Sequence, residues 1–130
     1  MMEHTIPLID SDKDINPNLL SFIRQHVDSF AKWDLIRFFH DLPDSVEVAE
    51  TAAHATGRDL GTVFQALKEL TETGLLESST LHSGETAYML TSDHSLRTLT
   101  NSFILACDNS QFRIKAIYHV IRNLRAKVRG

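Results

Sequence analysis

Thr62, Gln65 and Lys68 stand at i, i+3 and i+6, so on a helix they lie near one face, and Arg58 precedes them beside a glycine. Their chemistry suits a nucleic acid. A glutamine amide can grip an adenine edge through both of its polar atoms, and a threonine can meet a thymine methyl or a phosphate. Lysine and arginine neutralise phosphate charge. The four are therefore candidate contacts to double-stranded DNA. An ordinary solvated helix face carries the same residue types, however, and the local charge favours that plainer reading. From Asp44 to Leu76 six acids (Asp44, Glu47, Glu50, Asp59, Glu69, Glu72) face two bases (Arg58, Lys68), where phosphate binding wants cations.

Other chemistries find less support. His4, His26, His40, His54, His82, His94 and His119 are scattered, with no pair at the i, i+4 spacing of a zinc-binding helix. Asp10, Asp12 and Asp14 alternate near the start, but Ile15-Asn16-Pro17 supplies neither the glycine nor the closing glutamate of a calcium loop. No metal and no cofactor is expected. Cys107, the single cysteine, falls late in an apolar helix, where a small buried hydrophobe is a simpler reading than a redox switch. Phe30, Trp33, Phe38 and Phe39 read as core before they read as a ligand pocket. With no phosphate loop, nucleophile elbow or triad, an enzyme is not expected.

The elements that would position the four candidates follow from periodicity. Asn16-Pro17 starts a helix through Phe30, and a second, or a continuation past Asp28-Ser29, carries Trp33 to Leu42 before Pro43 stops it. Asp44 and Glu47 have capping-box spacing for a short helix through Val46, Val48, Ala49, Ala52 and Ala53. Gly57 breaks it, Asp59 caps the next, and Leu60, Val63, Phe64, Leu67 and Leu70 form an apolar stripe up to Gly74. Leu75–Leu81 and Thr86–Leu90 read as two strands around Gly84. Ser92 can cap a helix through Cys107, and Asp108 with Gln111 marks the start of a last helix. That helix has a long apolar stripe from Phe112 to Val128.

The phrase TVFQALKELTETGLL resembles the recognition-helix region of winged helix-turn-helix proteins, the group that holds the MarR-like and ArsR-like transcriptional regulators. Thr62, Val63, Leu67, Leu70, Gly74 and Leu75 carry the resemblance, with Ala49 and Gly57 upstream, over about a third of the chain. It implies a mainly α fold with a small β-hairpin, and extra N- and C-terminal helices forming a dimer interface. Residues 1–15 would be irregular and 16–130 one winged-helix domain. Its helix-turn-helix would span about 44–74, its wing about 75–91 and its C-terminal helices about 93–128. The implied function is a DNA-binding transcriptional regulator acting as a homodimer, with Arg58, Thr62, Gln65 and Lys68 on the DNA. Phe112, Ile117, Val120, Ile121 and Leu124 would join the two copies, with help from the 17–30 helix. The alternative is a winged-helix protein-interaction module that uses the acidic motif face and binds no DNA. ArsR-like metal sensors carry acid and histidine ligands on the terminal helix; Asp108 and His119 alone do not meet that pattern.

Bulk properties agree with a soluble regulator. The chain has 130 residues, 42% hydrophobic and 23% charged, which suits one domain able to bury a core. No apolar run reaches the roughly 18 residues of a membrane span, and the acidic start lacks the pattern of a secretion signal. A cytoplasmic protein is expected. The net charge of −4 hides a division, because residues 111–130 hold six of the thirteen Lys and Arg and no acid. Such a segment is a nucleic-acid tail in some proteins and a solvated helix face in more. No effector is indicated.

Overall fold

The computed structural model describes residues 15–129, with side chains as far as 125. The segment expected to be irregular lies outside that range up to residue 14, and with it Asp10, Asp12 and Asp14. Helix α1 (Pro17–His26) starts where Asn16 accepts from the amides of Asn18 and Leu19, with proline in the first turn. The chain then breaks, because Ser29 is extended and its hydroxyl accepts from the Lys32 amide to begin α2 (Phe30–Asp41).

The expected capping box does not form. Glu47–Val48 is instead a strand, β1, and α3 (Ala49–Thr56) begins after it at Val48, which offers no side-chain cap. Two β-branched valines around Glu47 favour extended backbone. A partner strand is at hand, with Glu47 opposite Tyr88 and Val48 opposite Ala87. The capping carboxylates are spent elsewhere: Asp44 pairs with Arg97 at 3.2 Å and Glu47 accepts from the Ser45 hydroxyl. Val46 is left 49% exposed, outside the helical face expected for it.

Gly57 ends α3 in the left-handed region at φ 68°, and Asp59 caps α4 (Leu60–Glu72) by accepting from the Thr62 amide at 2.9 Å. Strands β2 (Leu76–Thr80) and β3 (Thr86–Leu90) form the expected hairpin, with Gly84 at φ 92° in the turn. The sheet nevertheless has three antiparallel strands in the order β1-β3-β2. Helix α5 (His94–Ala106) is capped by Asp93 and not by Ser92, whose amide and hydroxyl both donate to Glu77 at 2.7 Å. Likewise Asn109, and not Asp108, accepts from the Phe112 amide to start α6 (Ser110–Arg129). In each, the carboxylate or amide oxygen that reaches the amide three residues on takes the cap.

The core gathers Phe22, Ile23, Val27, Leu35, Ile36 and Phe39 with Val63, Leu67, Leu70, Leu75 and Phe103. Trp33 is part of it, tilted 5.5 Å from Phe103, so the expected aromatic cluster is packing and not pocket. Cys107 is buried, and desolvation pushes its thiol up to about 11, so it stays protonated at neutral pH. No helix among the described residues is long and apolar enough to cross a membrane.

Candidate nucleic-acid interface

Helix α4 buries Val63, Ala66, Leu67 and Leu70 against α2 and α3, and it leaves Gly61, Gln65, Lys68 and Glu72 along its outer line. Leu60 and Phe64 do not join the buried stripe. They are 40% and 52% exposed, because at 3.6 residues per turn they fall to one side of the Val63–Leu67–Leu70 arc, whose other margin is buried Ala66.

Each candidate contact has a definite place. Lys68 is exposed and forms no ion pair among the described residues. Gln65 is exposed too, and its Nε2 donates to Glu69 Oε2 at 2.6 Å. The Thr62 hydroxyl donates to Asp59 Oδ1 at 2.7 Å, and this bond, with the Thr62 amide, holds the Asp59 carboxyl below its usual range. Arg58 is turned toward α2, where its Nε and Nη2 both sit 2.8 Å from Asp34 Oδ2. Thr62, Gln65 and Lys68 therefore share the exposed side of α4, while Arg58 stands apart as a brace between the turn and α2.

Beneath them lies a residue that sequence reasoning did not single out. Lys32 of α2 is only 4% exposed, and its ammonium sits 2.8 Å from Asp28 Oδ1 and 2.6 Å from Glu69 Oε1. Burial alone would lower its pKa, but the hydrogen bonds to Asp28 and Glu69 outweigh that and hold it raised. The i, i+4 spacing of Asp28 and Lys32 was legible; the third member, thirty-seven residues on, was not. Lys32, Thr62, Gln65 and Glu69 line a shallow cleft between α2 and α4. Next to Lys32, buried His26 donates from Nδ1 to the Thr73 hydroxyl at 2.9 Å, since that hydroxyl already donates to the Leu70 carbonyl.

The electrostatic balance does not change in three dimensions. Lys32 and Arg97 come to the motif from outside, but Asp28 and Asp34 come with them. The wing tip, His82 to Glu85, offers no lysine or arginine. Of the residues expected between copies, Val120 is fully buried in its own chain, and Phe112, Ile117 and Leu124 are half-buried against its core. Ile121 is 40% exposed, and Ile114, not among those expected, is 47% exposed.

Among solved structures, a possible transcriptional regulator from Methanosarcina mazei Go1 is similar at 16% identity, covering 82% of this chain and 81% of that one, with a TM-score of 0.44. Two variants of ZitR from Lactococcus lactis are similar at 18% identity. One is matched over 73% of both chains with a TM-score of 0.41. The other, in apo form, is matched over 92% of this chain and 97% of that one, with a TM-score of 0.42. No family model and no curated protein matches the chain.

Proposed function

We propose that the chain is a winged-helix DNA-binding transcriptional regulator that works as a homodimer. The observation that carries this reading is the outer face of α4. Thr62, Gln65 and Lys68 stand exposed there, on a helix seated by four buried apolar residues between a tight turn and a hairpin. Such a helix is the element that enters a major groove in helix-turn-helix proteins. Because the motif carries so few cations, phosphate attraction supplies little of the affinity and binding falls gently with salt. Two copies double the base contacts. The pairing surface is the outward edge of α6 marked by exposed Ile114 and Ile121, with half-buried Ile117 between them, while Phe112 and Val120 serve the monomer's own core.

Anisotropy of labelled duplex against protein and salt tests the reading. Lys68→Glu with Gln65→Ala is expected to abolish binding while the far-ultraviolet dichroism stays unchanged; unaltered binding removes those residues from the site. Arg58 is a poor choice for this test, since Arg58→Glu would set a second carboxylate against Asp34.

One observation favours the interaction-module reading. Phe64 and Leu60 are exposed on the helix that Asp59 begins, an apolar spot with an acid at one edge that suits a protein partner. The absence of duplex binding even at low salt would select it.

A further inference from the structure

We propose that Phe64 reads a thymine by packing on its C5-methyl group, with Gly61 leaving the room for that base to come close. The inference rests on the DNA-binding reading and adds which base the first two turns of α4 select. Two features of those turns have no explanation in the fold. Phe64 is 52% exposed and, among the described residues, belongs neither to the core nor to the apolar side chains packed against it. Gly61 is the other. Glycine weakens a helix relative to alanine, and neither backbone nor packing demands it here. Its φ is not positive, unlike those of Gly57, Gly74 and Gly84, and a Cβ on it would meet only Asp59 Oδ2, at 3.4 Å.

Helical spacing gathers both features on the side already assigned to DNA. Gly61, Phe64 and Lys68 stand at i, i+3 and i+7, so they follow one another up one exposed side, with Gln65 next to Phe64. Gly61 leaves a notch in that surface, bordered one turn on by Phe64. In the major groove the bases present hydrogen-bonding groups, and thymine alone adds an apolar one, its C5-methyl, which phenylalanine is suited to meet. Charge points the same way. Six acids against two bases between Asp44 and Leu76 leave little phosphate attraction, so burial of exposed apolar surface has to supply more of the binding. Phe64 also counts toward the interaction-module reading, and the experiment below separates the two.

The test starts by enriching duplexes from a random pool on the full wild-type chain. Each thymine of the enriched duplex is then replaced singly by deoxyuridine, which lacks only the methyl group. At one thymine per half-site the replacement is expected to weaken binding about fourfold, the worth of one buried methyl group. That penalty should disappear in Phe64→Ala and persist in Phe64→Leu, which keeps a large apolar side chain, while all three proteins unfold at similar urea concentrations. Gly61→Gln, at an exposed helical position, should fold at least as stably as wild type and bind the duplex about tenfold more weakly. A purely structural role for either residue would move stability and leave the methyl effect alone. The proposal is overturned if no deoxyuridine replacement weakens wild-type binding, if the penalty survives in Phe64→Ala, or if Gly61→Gln binds as wild type does. If no duplex is enriched, the DNA-binding reading goes and this inference with it; an enriched duplex without the methyl effect sinks the inference alone.

Discussion

Replacing His26 by leucine should flatten the acid side of this protein's stability curve. In the fold, burial chiefly, and the nearby Lys32 charge second, lower the His26 pKa from 6.5 to about 4. The folded state thus disfavours the proton that the unfolded chain accepts. The sign follows. His26 costs nothing above pH 6.5, and stability is lost as pH falls from there toward 4, at up to about 1.4 kcal/mol per pH unit. Integrated from about pH 7.5 to 5.0, the loss is roughly 2 kcal/mol, a sizeable part of a small domain's total. Stopping near pH 5 keeps the carboxylates out of the measurement. Asp59 and Glu77 are held below their ordinary values by hydrogen bonds from Thr62 and Ser92, so their stabilisation is present above those values and lost only at lower pH. Urea denaturation read by the fluorescence of Trp33, the one tryptophan, gives the unfolding free energy at each pH. The difference between wild type and His26→Leu cancels the other histidines. Leucine gives up the hydrogen bond to Thr73, so the variant need not match wild type at pH 7.5; only the slope matters. Parallel curves for the two proteins would refute the argument, and would mean that His26 is solvated or already charged in the fold.

Two further outcomes follow from burial. Ile114→Glu with Ile121→Glu should convert a dimer to a folded monomer by light scattering, because both side chains point away from their own core; an unchanged mass would move the pairing surface elsewhere. Phe64→Ser should change stability by no more than about 0.5 kcal/mol, whereas Val63→Ala, one residue away and fully buried, should cost about 1 to 3 kcal/mol in the same urea assay. Equal costs would contradict the rotation of α4 described above.

Much of the architecture was legible in residue types. Asn16-Pro17, Ser29, Gly57, Asp59, Gly74 and Gly84 act through their own backbone and immediate neighbours, so turns and caps could be placed from sequence to within a residue or two. Thr62, Gln65 and Lys68 on one exposed side of α4 required only helical spacing. Local rules failed where a distant partner outbid them. Glu47 and Val48 had a helix-start signature and became a strand because β3, forty residues on, offered a ladder that no local pattern reveals. Asp44 and Ser92 lost their expected capping roles to Arg97 and Glu77 in the same way. Periodicity marked Leu60, Val63, Phe64, Leu67 and Leu70 as apolar. Which of them faced inward waited on where α2 and α3 sat. The Asp28–Lys32–Glu69–Gln65 chain is the extreme example, since its members come from α2, the bend before it and α4, and only packing brings a buried ammonium under an exposed amide. Sequence alone determined most of the helices and turns and the outward polar face, because those depend on bonds spanning a few residues. The tertiary structure decided which charges meet and which apolar side chains are covered, because Coulomb attraction and burial act between surfaces and take no account of distance along the chain.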